Sequence, residues 1–175
     1  LIGPLAADKN SPLGNWRIAA TDNTAISVLE GLKTYKGNTI NHQQGVKLVN
    51  QIPVGFHEEV SINTTDRTGF EAAKKAASNA DVVVMVLGEY GFQSGEGRSR
   101  ANLDLPGLQQ ELLEEVYAIN PNIVLVLMNG RPLVLNWAAE HLPAIVESWH
   151  LGTQSGHAIA QVVYGDYNPS GKLPM

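Results

Sequence analysis

Two glutamates, two arginines and two serines lie within one glycine-rich stretch of nineteen residues, Gly88–Pro106. They are Glu89, Glu96, Arg98, Arg100, Ser94 and Ser99. The stretch contains four glycines, which let the backbone turn sharply, and it follows an apolar run, Val82–Leu87, that is typical of a buried parallel strand. Because ligands bind beyond the carboxyl ends of strands in open α/β sheets, we expect the chemistry of this chain in this loop.

Glu96 is the residue of this loop best suited to acid/base chemistry. Cleavage of a glycosidic bond needs one carboxylic acid to protonate the leaving oxygen and a second carboxylate, about 5–5.5 Å away in retaining enzymes, to attack the anomeric carbon. Glu96 lies between Gly95 and Gly97, where it has no place in a helix or strand, although an exposed loop glutamate also serves solubility alone. Glu89 follows the strand directly, where a carboxylate accepts backbone or arginine hydrogen bonds, so we favour a structural brace there.

Two helices are predicted before the loop. Thr21–Asn23 supplies N-cap candidates for a helix that would end near Gly37. Its apolar face would consist of Ala25, Val28, Leu29 and Leu32. Thr68 and Glu71 have capping-box spacing and would open a second helix, Glu71–Asn79, that leads into the strand at Val82.

Strands and helices also alternate after the loop. Pro106 would start a helix closed by Asn120, with Leu108, Leu112, Leu113 and Val116 inward. Strands are predicted over Ile123–Met128 and Ala144–Trp149, and a last helix over Ser155–Gly165. Residues 39–52 favour a short strand and residues 53–65 irregular structure. The alternation predicts parallel strands, right-handed crossovers and helices on both faces of a sheet.

Three predicted strand ends would share one edge of this sheet: Gly88 onward, Asn129–Pro132 and Trp149–Gly152. Such an edge suits a sugar, whose hydroxyls bond to arginine, asparagine and carboxylates and whose C–H faces lie against tryptophan. Each group also has a structural alternative. Arg131 would anchor a loop, Trp149 would pack at a strand end, and Asn129–Pro132 would form a sharp turn.

Composition narrows the class of protein. A chain of 175 residues with 43% hydrophobic and 17% charged residues is long enough for one domain with a sizeable core. A net charge of −5 argues against a nucleic-acid surface, and the lack of cysteine excludes disulfides and thiolate metal sites. No apolar run approaches the roughly 18 residues of a membrane span. The chain begins on Leu1–Pro4, like the back half of a strand, so we expect a piece of a longer protein.

Other functional classes find little support. Neither a Gly-x-Gly-x-x-Gly nor a Gly-x-x-x-x-Gly-Lys-Ser/Thr run joins a strand to a helix, which argues against a nucleotide-binding domain. The histidines show no spacing that places two on one helix face, so no metal site is expected. They are His42, His57, His141, His150 and His157. A noncatalytic sugar-binding α/β module remains an alternative.

Several blocks, taken in order, carry a resemblance to a known family. They are Leu1–Ala6 with Gly14–Trp16, Val82–Glu89, Ser94–Arg100 with Leu105, Pro106 and Gln109, Val126–Leu133, Trp149 with Gly152, and Gly165–Pro174. Together they make the chain resemble the glycoside hydrolase family 3 β-glucosidases, and among these the bacterial periplasmic ones. The resemblance covers nearly the whole chain.

The resemblance implies a fold, and it assigns the two catalytic groups to different domains. Residues 1–175 would form a three-layer α/β/α sandwich with a mostly parallel sheet of about six strands, the C-terminal domain of an enzyme whose first domain is a (β/α)₈ barrel. Carried over, Glu96 is the acid/base, whereas the nucleophilic aspartate belongs to the absent barrel. Glu89, Ser94, Arg98 and Arg100 would contact substrate or support the loop.

The same resemblance implies partners and surroundings. The substrate would be a β-glucoside or oligosaccharide, no cofactor or metal would be needed, and the second partner would be the barrel of the same polypeptide. No nucleic acid or membrane span is expected, and the location would be periplasmic or secreted. The isolated chain would be inactive.

Overall fold

Three parallel strands lie at the centre of the computed structural model, which describes residues 1–52 and 58–174. They are β1, Val83–Gly88, β2, Ile123–Met128, and β3, Ala144–Glu147, in the order β1-β2-β3. β1 and β2 pair along their whole length, from Val83 opposite Ile123 to Gly88 opposite Met128. Both strands are apolar throughout, as expected of strands covered on both faces.

Five helices surround the sheet in the described part of the chain. They are α1, Val28–Lys33, α2, Phe70–Ser78, α3, Gln109–Ile119, α4, Asn136–His141, and α5, Ser155–Val163. Two short 3₁₀ turns occupy Ser11–Leu13 and Gly152–Gln154. The predicted helix start at Ser155 and the predicted bounds of β2 agree with the structure.

The alternation of side chains along β1 and β2 divides the core into two layers. Met85 and Leu125 point to one face, where they pack with α2 and α3 residues such as Leu112. Val86 and Val126 point to the other face and pack with residues of α1 and α5. Helices therefore cover both faces, and the predicted α/β class with a parallel sheet is confirmed.

The predicted number of strands is wrong, since the described residues contain three strands and not about six. Ile2 continues the sheet beyond β1 only through single parallel bridges to Met85 and Gln43. Gly3 has a φ of 135° and Pro4 lacks a backbone N–H, so the chain leaves the sheet after one paired residue. The strand predicted within residues 39–52 is likewise reduced to isolated bridges.

Two predicted helix starts are also wrong. The N-cap of α1 is Ser27, not Thr21–Asn23: the Ser27 side chain accepts the Glu30 N–H, and Glu30 accepts the Ser27 N–H in return. At α2 the cap is Gly69, and no side chain caps the helix, so the Thr68–Glu71 box does not form.

The remaining differences are shifts of boundaries and one omission. α3 begins at Gln109 rather than Pro106, and β3 ends at Glu147 rather than Trp149. α1 ends at Lys33, before the predicted stop at Gly37, and α4 was not predicted. Residues 53–57 of the predicted irregular segment, with His57, lie outside the described residues.

Candidate active site

The three strand ends meet at one edge of the sheet, as the sequence predicts. The Glu89 N–H donates to the Met128 carbonyl at 2.9 Å, and the Ser148 N–H donates to the Leu127 carbonyl at 2.9 Å. Gly88 has a φ of 140°, and a Cβ there would lie 2.0 Å from the Met128 oxygen. Only glycine allows this approach, which directs the chain from β1 into the loop.

Gln109 joins the first turn of α3 to the end of β1. Its side-chain oxygen accepts the Gly88 N–H at 2.9 Å, and its Nε2 donates to the carbonyls of Gly88 and Pro106 at 2.8 and 2.9 Å. The side chain is fully buried, and both of its polar atoms are bonded. The C-terminal end of the loop Gly88–Pro106 is therefore hydrogen-bonded to the end of β1, the strand that leads into the loop.

Glu89 is a completely buried carboxylate with two arginine partners. Its Oε1 lies 2.8 Å from an Arg100 guanidinium nitrogen and 3.0 Å from Arg131 Nε. Its Oε2 accepts the Gly130 N–H at 3.3 Å. Burial of a carboxylate is costly unless it is paired, and here two cations and one backbone donor surround it.

The two arginines also bond to the loop backbone. Arg131 donates to the carbonyl oxygen of Gln93, and Arg100 donates to that of Asp104 at 2.9 Å. The Gln93 side chain accepts the Tyr90 N–H at 2.7 Å. Several charged and neutral bonds therefore fix the backbone on each side of residues 94–99.

Glu96 lies at an exposed turn between the two fixed sides of the loop. The neighbouring Gly95 and Gly97 have φ values of 121° and 68°, and the Arg98 N–H donates to the Gly95 carbonyl at 3.2 Å. None of the described residues hydrogen-bonds to the Glu96 carboxylate or forms an ion pair with it. Glu89 and Glu96 thus share a loop but occupy opposite environments.

The other predicted loop residues divide between interior and surface. Ser94 is buried, next to Gly130, whereas Ser99 is exposed. Arg98 is half-buried and donates to the Glu58 carbonyl at 2.7 Å. The loop therefore also contacts the segment that follows residue 57.

Several buried polar atoms at this edge have no hydrogen-bond partner in the described structure. They are both amide atoms of Asn15, Asn129 Oδ1, His150 Nε2 and Arg131 Nε, the last of which forms an ion pair with Glu89 but no hydrogen bond. Asn15 packs against Gly95, since a Cβ on that glycine would lie 2.3 Å from Asn15 Nδ2. Buried polar groups without a protein partner commonly bind ordered water or a ligand, so this wall of the site has unused hydrogen-bonding capacity.

Burial shifts the pKa values of two titratable groups at this edge of the sheet. Burial lowers the pKa of His150, an effect that the Glu89 charge opposes. Burial raises the pKa of Glu147, and hydrogen bonds from the Trp149 N–H and Asn129 Nδ2 oppose that rise. Trp149, half-buried with a φ of 50°, turns the chain at the end of β3.

A cleft of about 800 Å³ opens beside the C-terminal part of the loop. Its walls include Arg100, Asp104, Gln110 and Trp137. Glu96 does not line this cleft, so the cleft is not the place where Glu96 would meet a glycosidic oxygen. Sequence analysis did not predict it, because Trp137 belongs to the unpredicted helix α4.

Neither a metal cluster nor a membrane helix is found in the described residues. Across residues 1–52 and 58–174, no group of three or more His, Cys, Asp and Glu side chains has the arrangement of a metal site. No helix in these ranges combines the length and the apolar character that a membrane crossing needs.

Sequence analysis did not identify the roles of Gln109 and Asn15 at this edge. The signal for Gln109 was its place three residues after Pro106 at a helix start, with an apolar residue on its N-terminal side. Asn15 carried no signal beyond its position between Gly14 and Trp16. The sequence suggests that Arg131 anchors a loop, but it does not indicate that Glu89 is the ionic partner of Arg131.

Comparison with known proteins decides the family. Residues 1–175 match the family model described as the glycosyl hydrolase family 3 C-terminal domain. This chain belongs to that family. The resemblance inferred from its sequence blocks is therefore confirmed.

Relatives of this family 3 domain include proteins named as glycosidases. The chain is 38% identical to a periplasmic β-glucosidase of Salmonella typhimurium and covers 24% of that protein. It is 36% identical to a β-xylosidase of Formosa agariphila and covers 23% of it. Both alignments include 100% of this chain, so the chain spans about a quarter of the length of these relatives.

Solved structures agree with the fold. A β-glucosidase from Listeria innocua in complex with isofagomine superimposes with a TM-score of 0.81 at 31% identity. The superposition covers 96% of this chain and 21% of that one. The family 3 domain described here therefore corresponds to one part of a larger glycosidase.

Proposed function

We propose that this chain is the C-terminal domain of a retaining β-glucosidase that hydrolyses terminal β-D-glucosyl residues, and that Glu96 is its general acid/base. One observation carries the proposal: Glu96 is exposed at the tip of a loop whose two sides are fixed to the carboxyl edge of the sheet. A carboxyl group placed in this way is accessible to a substrate and has a defined position.

The reaction would proceed in two steps. An aspartate of the barrel domain, outside this chain, attacks the anomeric carbon while Glu96 donates its proton to the departing glycosidic oxygen. The Glu96 carboxylate then removes a proton from water, and the resulting hydroxide displaces the aspartate and releases glucose. One group serves as acid and then as base, as microscopic reversibility requires.

We assign the second catalytic carboxylate to the part of the enzyme outside this chain. Glu89 is fully buried and paired with two arginines, so it is not available to attack a sugar. The chain also covers only about a quarter of its glycosidase relatives. We therefore expect the isolated chain to be inactive, and its partner to be the barrel domain of the same polypeptide.

The remaining residues of the loop would support Glu96 or contact the sugar. Glu89 and Arg100 form the buried ion pair and belong to loop support. Ser94 is buried against Gly130 and serves the same end. Arg98 also bonds to the Glu58 carbonyl, and we assign it to loop support or substrate contact.

Location and substrate range follow from the relatives. A periplasmic or secreted location agrees with the name of the Salmonella relative. Because another relative is named a β-xylosidase, xylosides belong in any substrate screen beside glucosides. No cofactor takes part in the proposed mechanism.

Substitution of Glu96 in the full-length enzyme tests the proposal. Glu96→Ala should lower kcat/KM for cellobiose by about 10²–10⁴-fold, because its leaving group needs a proton. The kcat/KM for dinitrophenyl β-glucoside should change little, since that leaving group departs without one. Azide should raise kcat of the variant on the dinitrophenyl substrate and yield glucosyl azide, because azide attacks without a general base.

The matched control is Glu140→Ala, which removes an exposed glutamate of α4. It should leave all of these rates unchanged. Unimpaired cellobiose hydrolysis by Glu96→Ala would contradict the assignment. Hydrolysis by the 175-residue chain alone would show that the nucleophile also lies within it and would overturn the proposed division between domains.

A further inference from the structure

The buried junction of Glu89 with Arg100 and Arg131 has an arrangement that a simple ion pair does not require. Both arginines approach the same carboxylate oxygen, and they come from two separate segments of the chain. Arg100 belongs to the loop itself, whereas Arg131 follows β2. One carboxylate thereby joins two strand-end segments.

The two arginines attach to the two sides of the segment that contains Glu96. Arg131 donates to the carbonyl of Gln93, the residue before Ser94. Arg100 directly follows Ser99. The segment 94–99 is therefore connected at both of its ends to Glu89, once through a guanidinium-to-backbone bond and once through the side chain of the next residue.

Glu89 is itself fixed to the sheet. Its N–H donates to Met128 at 2.9 Å, and its Oε2 accepts the Gly130 N–H at 3.3 Å. The carboxylate of Glu96, in contrast, is bonded to none of the described residues. The position of Glu96 is therefore set by the backbone of its segment, including the segment's two ends, and not by contacts of its own side chain.

We infer that Glu89 is a positioning residue for Glu96, acting through Arg131 and Arg100 on the two ends of the segment 94–99. This inference rests on the proposed acid/base role of Glu96. A catalytic group has to be held within fractions of an ångström, and a displacement of about 1 Å can cost about a hundredfold in rate. Loss of the Glu89 charge releases both arginines at once, so it displaces both ends of the segment.

The test is a double-mutant cycle in the full-length enzyme with Glu89→Gln, Glu96→Ala and the double variant. Glutamine keeps the size of the side chain but removes its charge. For cellobiose, Glu89→Gln should lower kcat/KM by about a hundredfold. For dinitrophenyl β-glucoside, kcat/KM should fall less than threefold, because this substrate does not depend on proton donation. In the Glu96→Ala background, Glu89→Gln should add almost nothing for cellobiose, since the group that it positions is gone.

A second variant keeps the test decisive if Glu89→Gln does not fold. Arg131→Lys retains the charge but loses the planar guanidinium that forms an ion pair with Glu89 and donates to the Gln93 carbonyl. It should lower kcat/KM for cellobiose about tenfold and leave the dinitrophenyl substrate nearly unaffected. The matched control is Arg67→Lys, at a surface arginine paired with Glu111 and Glu115, which should retain the parental rates on both substrates.

The two proposals fail in different ways. If Glu96→Ala retains cellobiose activity, the acid/base assignment itself fails. If Glu96→Ala is slow but Glu89→Gln causes the same further loss in its presence as in its absence, Glu89 acts independently of Glu96 and the inference is overturned. Equal losses on both substrates, or an Arg131→Lys variant indistinguishable from Arg67→Lys, would overturn it as well.

Discussion

Glu89 and Glu96 occupy one loop but have opposite surroundings. Glu89 is fully buried, and two arginines and a backbone N–H surround its carboxylate. Glu96 is exposed, and the described residues leave its carboxylate unbound. The same side chain is thus used once for structure and once, in our proposal, for chemistry.

The difference shows what each position requires of its neighbours. A buried carboxylate depends on charged partners that compensate its desolvation, so it stabilises one geometry. A carboxyl group that exchanges protons with a substrate has to remain accessible, and its position has to come from the backbone. The arginines that pair with Glu89 supply the charged partners that a buried carboxylate needs. The glycines beside Glu96 allow the backbone turn that keeps its carboxyl group accessible.

The largest expected difference is between Glu89→Gln and Glu96→Gln in the free energy of unfolding of this chain. Glu89→Gln leaves two guanidinium groups without their buried counter-ion and should cost about 3–5 kcal/mol. Glu96→Gln changes an exposed side chain and should stay within about 0.5 kcal/mol. Urea denaturation followed by circular dichroism measures both, and equal stabilities would contradict the comparison.

Substitution of Gln109 measures how much a buried but uncharged side chain at the same strand end contributes to the free energy of unfolding. Gln109→Ala removes the partner of both Gly88 backbone groups and should cost about 2–3 kcal/mol, although no charge is involved. The adjacent Gln110→Ala, at a half-buried residue bonded to Glu114, should cost less than about 0.5 kcal/mol. A loss at Gln110 as large as that at Gln109 would show that the strand-end bonds do not set the cost.

The two glycines beside Glu96 test the exposed side of the comparison. At Gly95, with a φ of 121°, an added Cβ would meet the Asn15 amide at 2.3 Å, so Gly95→Ala should cost about 2–3 kcal/mol. At Gly97, with a φ of 68° and open space around it, alanine should cost about 1 kcal/mol. Thermal unfolding of both variants provides the measurement, and a Gly97→Ala variant no more stable than Gly95→Ala would count against the packing of Asn15 on this turn.

Glu30 is an exposed carboxylate that is nevertheless bonded, and it provides the smallest expected effect. Hydrogen bonds from Ser27, with Lys9 close by, lower the pKa of Glu30 to about 2 from its ordinary value of 4.5. A lowered pKa stabilises the folded state above pH 4.5, and that contribution is lost as the pH falls towards 2. Because Glu30 is exposed to solvent, screening limits the effect to about 1 kcal/mol or less.

The measurement for Glu30 is the difference in unfolding free energy between Glu30→Gln and the parent chain at pH 7, 5 and 3. The difference should be constant between pH 7 and 5 and should decrease at pH 3. Glu140→Gln, on the exposed face of α4, is the control and should show no such trend. A Glu30 difference that grows on acidification would have the wrong sign for a lowered pKa.

The parts of the fold that follow from hydrophobic pattern were predictable from sequence. The continuous apolar run Ile123–Met128 gave the bounds of β2, and the helical spacing that includes Ile159 gave α5. The pattern was weaker where elements are short. Asn136–His141 has only six residues, and Leu1–Pro4 forms only two isolated bridges, both at Ile2, where a strand was expected.

The residues that lie at the candidate site were predictable from the sequence, but the ion pairs between them were not. The strand-end rule brought Glu89, Asn129 and Trp149 to one edge, and the structure places them there. Which arginine binds Glu89 depends on side-chain directions from separate strand ends, and spacing along the chain does not contain that information. The capping choice at α1 failed for a related reason, because several polar residues before the helix fit the same rule.

The attachment of the loop at Gln93 and Arg100 also bears on how this domain can change. The contacts that hold the two anchors are made by Glu89, Arg100 and Arg131, and none of these side chains belongs to the six residues between the anchors. Variation in reach is thereby separated from the integrity of the core. Under the proposed acid/base role of Glu96, grafting a segment of different length between the same two anchors would change how far Glu96 extends from the sheet edge.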